Sequence, residues 1–391
     1  MPETALTGAP PVGRVRRRRP LATFITVLCT FLLVLLPGSL TATATANPPD
    51  DHPARLKVLT RNIYLGADLR PVLAATDASS LFAAVNRVFT QVQATNFPER
   101  AEALADEIAD SDPHLVGLQE VRLWRSQTPA DFSPTPNATV VEYDFLQILL
   151  DALAARGKHY AAVATITSSD REIPRSTPGG GLQDIRSTDR DVILARTDLP
   201  AKKFSVANPQ QALFDARLTI PHPVLGNIVF PHGWVAVDAT VGGRTTRVVS
   251  THLEAIGPAV QVQQGEELLD GPLDTERPTV LLGDLNSAAG GVGAVPGSSD
   301  TPTYANFLAD GFKDVWVATH RKNPGFTCCQ APDLRNPTST LSQRIDYVLF
   351  RNGFKALKAE RVGEEQADRT PSGLWPSDHA GVLATLKLPR R

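Results

Sequence analysis

Six apolar runs in this 391-residue chain each accompany a polar group that can do chemistry, and this recurrence restricts the fold more than composition does. Leu56 to Thr60 leads to Asn62, His114 to Leu118 to Glu120, Thr245 to Ser250 to His252, and Thr279 to Leu282 to Asp284 and Asn286. Asp346 and the pair Asp378-His379 belong to the runs near Ile345 to Arg351 and Ala380 to Leu386. Read as β-strands, the runs should carry these groups at their carboxyl ends, a common place for chemistry in layered α/β folds. In Gly283-Asp284-Leu285-Asn286 the acid and the amide stand two positions apart, so a strand would aim both the same way. Singly, each residue has an ordinary explanation: Asn62 a turn, Glu120 a surface acid, His252 a hydrogen-bonded core histidine, Asp346 a partner for Arg344. Six such coincidences explain less than one shared site.

Between the runs, Ala101, Leu104, Ala105 and Ile108 mark a helix over Glu99 to Ala109, which Pro113 stops. Helices are also expected over Val141 to Ala155 and Val260 to Leu269. Strands are expected over Tyr160 to Ile166, Val192 to Ala195 and Lys313 to Val317. Trp234 to Val241 should fold back through Gly242-Gly243 as a hairpin. The stretches 127–139, 167–191 and 288–302 read as loops. The second holds Gly179-Gly180-Gly181, which lacks the Lys-Ser/Thr ending of a phosphate-binding loop. No solenoid-length repeat is visible. The sum is an α/β (α+β) chain of two stacked mixed sheets flanked by helices.

The N-terminus reads as an export signal over residues 1–46. Arg14 and Arg16 to Arg19 precede the apolar run Leu21 to Leu36, and Ala44-Thr45-Ala46 forms the cleavage site. That run falls short of the ~20 residues of a membrane span. Residues 47–54 are a polar lead-in and 55–391 the folded domain. The exported part carries 34 Lys and Arg against 40 Asp and Glu, a charge of −6. That balance speaks against a dedicated DNA-binding protein, which would present a basic face. It is compatible with a nuclease whose metal supplies positive charge. Cys328 and Cys329 are too close along the chain for ordinary disulfide geometry and lack zinc-site spacing. They read as two partly buried thiols or a loop clip.

Five blocks then resemble one family. Leu118-Gln119-Glu120-Val121-Arg122, Ser250-Thr251-His252-Leu253-Glu254, Gly283-Asp284-Leu285-Asn286, Arg344-Ile345-Asp346-Tyr347 and Ser377-Asp378-His379 are similar, in order, to the signature blocks of the endonuclease/exonuclease/phosphatase superfamily. The resemblance implies a four-layer sandwich and cleavage of phosphate esters with Mg²⁺, or Mn²⁺ or Ca²⁺ in its place. It implies a metal held by Glu120, with Asn62 completing or supporting that shell and Asp378 nearby. It further implies Asp284 orienting the attacking water or contacting a second ion, Asn286 donating to the phosphate, His379 held by Asp346, and His252 as a second histidine that contacts the phosphate or protonates the leaving oxygen. Asn62 is followed by Ile63-Tyr64, without the acid that abasic-site endonucleases place two residues after their Asn.

Within that class, Thr251-His252-Leu253-Glu254-Ala255 resembles the corresponding block of secreted sphingomyelinases. The expectation is therefore a secreted, monomeric phosphodiesterase acting on phospholipid headgroups, with transient membrane-surface contact. The alternatives are an extracellular nuclease and a phosphomonoesterase, with loops 126–138, 168–190 and 288–302 as candidate groove walls. No solvent-directed aromatic hairpin is apparent, and Trp375 beside Leu374 suits a core better than a membrane contact.

Overall fold

A computed structural model describes residues 54–290 and 299–389. The expected export signal over residues 1–46, nearly all of the lead-in and most of the 288–302 loop lie outside them. One mixed sheet runs in the order Lys355–Val362, Gly381–Lys387, Arg55–Asn62, Leu115–Gln119, Leu182–Arg196, Leu123–Gln127, Val140–Asp144, with Tyr160–Ser176 also paired to Leu182–Arg196. The other runs Lys313-Asp314, Asp346–Arg351, Thr279–Asp284, Arg244–His252, Gly233–Val241, Phe204–Leu213.

Strand alternation sorts the side chains into layers. Leu56, Val58 and Leu115 of the first sheet share one buried cluster with Val248, Val280, Leu282 and Val348 of the second. The opposite face of the first sheet packs Leu59 and Val116 on the helices Ala78–Ala94, Phe97–Ser111 and Phe145–Ala155. Val249 and Leu281, on the far side of the second sheet, pack with residues of Pro258–Asp270 and Thr303–Ala309. Helices, sheet, sheet, helices: the four-layer sandwich is present.

The same period places the polar groups. Counting by twos from the residues packed between the sheets, Val58 leads to Asn62, Leu115 to Gln119, Val248 to His252, Leu282 to Asp284, and Val348 back to Asp346. Asp346 opens its strand instead of ending it, and Asp378-His379 precede theirs. Both strands run antiparallel to neighbours, so their amino ends lie beside the carboxyl ends of the others.

Several local expectations change. Val140 to Asp144 is a strand paired with Leu123–Gln127, and only Phe145–Ala155 is helical. Asp144 caps that helix by accepting from Leu146 N–H at 3.2 Å. The segment 167–191 is no loop: Tyr160–Ser176 and Leu182–Arg196 pair along their length as a long hairpin arm, and the glycine run makes only its turn. Lys313-Asp314 is a two-residue strand, after which Asp314 caps the helix Val315–Thr319. Sequence reading passes over the helix Ala78–Ala94, although Leu81, Val85, Val88 and Val92 carry its apolar face. Trp375 is fully buried. The sulfurs of Cys328 and Cys329 are set against each other, the arrangement that the clip reading calls for.

Candidate active site

His252, Asp284 and Asp346 stand side by side on three adjacent strands, since His252 pairs with Asp284 and Asp284 with Asp346. His379 approaches this row from the segment before Gly381–Lys387. Its Nδ1 lies 2.8 Å from Asp346 Oδ2 and 3.7 Å from Asp284 Oδ2. His252 Nε2 lies 3.7 Å from the same Asp284 oxygen. One carboxylate oxygen is thus flanked by two imidazoles. The other oxygen, Asp284 Oδ1, accepts the Asn286 backbone N–H at 3.0 Å. Gly283 permits this row: a Cβ there would meet Thr251 O at 2.2 Å.

The first sheet contributes the opposite wall. Asn62 donates through Nδ2 to Glu120 Oε1 at 3.1 Å and to Asp284 Oδ2 at 3.2 Å, bridging the two sheets. Its side-chain oxygen Oδ1 accepts Tyr64 N–H at 3.0 Å. Glu120 follows Gln119, whose parity faces inward, and would point outward in a regular strand. A backbone φ of 60° breaks the alternation. Glu120 Oε2 then accepts Leu65 N–H at 2.7 Å. Asn286 turns likewise, at φ 47°, and donates its amide to Leu253 O at 3.0 Å.

Burial sets the charge states. It pushes Asp284 up to about 8, with Asp346 adding to the rise and His379 opposing it. Asp378 rises to about 6 through burial, opposed by His379 and assisted by Glu120. Burial pulls His252 down to about 4, against the attraction of Asp189. Burial would lower His379 too, but Asp346, Asp378 and Asp284 outweigh it and hold it well above an ordinary imidazole. One histidine is neutral, able to accept a proton; the other is charged, able to give one.

All the residues named from sequence therefore meet at one end of the sandwich. Asn62, Glu120, His252, Asp284, Asp346 and His379 are joined by contacts, Asn286 braces Asp284, and Asp378 interacts with Glu120 and His379 through charge. A divalent cation fits this group. Carboxylates that raise one another's proton affinity form a surplus of negative charge, and hard cations take oxygen ligands. Asp284, Asp346 and His379 also offer ligand atoms within 4.8 Å of one another.

Sequence reading missed a supporting group. Asp189 pairs with Arg122 Nε at 3.2 Å, and Asp191 Oδ1 is buried without a hydrogen-bond partner among the described residues. His232 sets its ring 5.2 Å from His252 and its Nε2 3.6 Å from Glu254. Alternation signals the acids: Asp189, Asp191, Ile193 and Ala195 share a face, and the last two are packed between the sheets. Nothing comparable marks His232.

The Endonuclease/Exonuclease/phosphatase family profile matches residues 62–379. Among solved structures, a D. rerio TDP2 complexed with single strand DNA product is 16% identical, with a TM-score of 0.50 over 85% of this chain and 99% of that one. An endonuclease/exonuclease/phosphatase family protein from Leptotrichia buccalis is 14% identical, with a TM-score of 0.50 over 85% of this chain and 100% of its own. One from Bacteroides thetaiotaomicron is 15% identical, with a TM-score of 0.50 over 85% and 98%. At these identities the likeness is one of fold. Comparison with curated proteins gives no significant match.

Proposed function

This chain belongs to the endonuclease/exonuclease/phosphatase family, whose members are metal-dependent phosphoesterases and nucleases, and from that premise we propose an exported Mg²⁺-dependent phosphodiesterase acting on phospholipid headgroups. The observation that carries the phosphodiester reading is the pair of imidazoles about Asp284, each 3.7 Å from the same oxygen, one neutral and one charged. A diester must lose an alkoxide, so proton removal from water and proton delivery to the leaving oxygen both need a group. Glu120 and Asp378, with Asn62 in support, would hold the cation, which when bound would neutralise charge on the phosphate. Asp284, fixed by the Asn286 N–H, orients the attacking water. Asn286 donates to the phosphate, and Asp346 holds the His379 ring. No covalent intermediate is required.

The lipid reading draws support from the surface. Ile256, 49% exposed, follows closely on His252 and Glu254, and Phe326, 37% exposed, stands two residues before Cys328, which bridges to His379. The arginines of the hairpin arm, which a nuclease would turn towards phosphates, are largely committed within the protein. Arg186 holds Asp170 at 2.5 Å and 2.9 Å, Arg125 reaches the same acid, and Arg171 donates to Val229 O. The nuclease reading keeps one support, the TDP2 relative solved with single-stranded DNA product.

The test compares sphingomyelin vesicles, plasmid DNA and a chromogenic phosphomonoester, each with Mg²⁺ and with EDTA, using His252→Ala as control. Headgroup release that needs Mg²⁺ and His252 supports the proposal. Cleavage of DNA or the monoester in preference to the vesicles overturns its substrate.

A further inference from the structure

Arg100 lies in the helix Phe97–Ser111 and is fully buried, yet its donors go to backbone carbonyls and not to carboxylates. Nε donates to Thr95 O at 2.8 Å, Nη1 to Ile63 O at 2.8 Å and Pro376 O at 2.9 Å, and Nη2 to Tyr64 O at 3.2 Å. Phe97, Tyr64 and Phe145 set their rings 4.9–5.9 Å from the guanidinium carbon. A charge so placed is costly to bury without a partner charge, and a greasy residue could fill the space.

The carbonyls show what the fork gains. Ile63 and Tyr64 directly follow Asn62, and the next residue, Leu65, donates its N–H to Glu120. Pro376 stands two residues before Asp378, and Ser377 Oγ donates to Asn62 O at 2.7 Å. The guanidinium therefore ties the loop that holds Asn62 and Glu120 to the loop that carries Asp378. Its planar geometry is what lets one group bind carbonyls of both loops at once.

We propose that Arg100 is the positioning residue of the cation side, fixing the separation of Glu120 and Asp378 that a divalent metal requires. It rests on the assignment of those two carboxylates to the metal. Groups that orient metal ligands typically change affinity by about 10–100-fold when removed. Lysine keeps the charge and loses the fork, so it does not rescue.

The experiment measures Mn²⁺ binding to the purified protein by electron paramagnetic resonance, beside circular dichroism to confirm folding. Arg100→Lys and Arg100→Gln are each expected to weaken Mn²⁺ binding about tenfold or more, with turnover recovering as Mn²⁺ is raised. An unchanged or tighter dissociation constant in the folded variants overturns the proposal, because a merely structural role would lower stability without moving it. Should neither variant fold, Ser377→Ala, which removes the second tie between the same loops, is expected to weaken binding; unchanged affinity there overturns the proposal equally. Glu120→Gln separates the premise from the inference. If it binds Mn²⁺ as the parent does, the metal assignment itself fails. If it loses binding while the Arg100 variants keep it, only the role of Arg100 fails.

Discussion

His379 presents Nδ1 to Asp346 Oδ2 at 2.8 Å, which leaves Nε2 as the nitrogen free to meet a substrate. Asp346 sits on a strand of the second sheet and His379 on the approach to a strand of the first, so this bond also spans the two sheets. The ring is further anchored from behind by its own backbone: Arg61, held by Glu107 at 2.9 Å, donates to the His379 carbonyl.

Replacing Asp346 by Asn should leave the ring in place while removing the charge that keeps it protonated. The expected result is a fall in kcat on the order of 10²–10⁴-fold with little change in KM. Steady-state kinetics on a phosphodiester check this, and a change confined to KM contradicts it.

Gly283→Ala should damage both fold and activity. The backbone there has φ 149°, and a Cβ would strike Thr251 O at 2.2 Å, a main-chain atom that cannot swing away. Chemical denaturation is expected to show a loss of about 2–3 kcal/mol, within the range for strained sites. Asp284, the next residue, would be displaced with the strand, so activity should fall by more than the unfolded fraction explains.

The metal-free protein should lose stability as pH rises from 6.5 to 8. Asp284, raised to about 8, keeps a proton that the unfolded chain releases near 3.8, so folding is progressively disfavoured up to about 8. His379, raised above 6.5, gives a contribution that is likewise lost above that value. His252, lowered to about 4, acts in the opposite sense but only below 6.5. Each group supplies at most ~1.4 kcal/mol per pH unit. Melting temperatures in EDTA should fall across that window, and Asp284→Asn should flatten part of the slope. A melting temperature that rises from pH 6.5 to 8 in the parent contradicts the charge states given above.

Export predicts a defined new N-terminus. Mass spectrometry of the protein recovered from culture medium should find a chain beginning at Asn47, after Ala44-Thr45-Ala46. Recovery only with cells, at full length, contradicts it.

Much of this was legible in the sequence because strand alternation is a local rule. Asn62, His252, Asp284 and Asp346 each lie an even number of residues from a core position, so one period places them all between the sheets. Glu120 and Asn286 were named from the ends of their runs, but the alternation expected to aim Asn286 the same way as Asp284 fails: the strand stops at Asp284, and left-handed backbone at both residues breaks that period. The hairpin arm was misread because its strands alternate polar residues around the ion pairs of Asp170 with Arg125 and Arg186, which resemble a solvated loop until the partner strand is known. Arg100 carried no signal: a charged residue in an amphipathic helix looks solvent-exposed, and only tertiary structure shows four carbonyls around it.

In the proposed reaction the carboxylate of Asp284, between His252 and His379, organises water attack on a phosphate diester in the presence of a divalent metal. Release of p-nitrophenol from bis(p-nitrophenyl) phosphate tests it most directly, with the parent and Asp284→Asn compared in Mg²⁺ and in EDTA. The parent should be active with Mg²⁺ and inactive with EDTA, and Asp284→Asn should be slower by a factor on the order of 10²–10⁴ while remaining folded. A folded Asp284→Asn protein as fast as the parent would contradict the account.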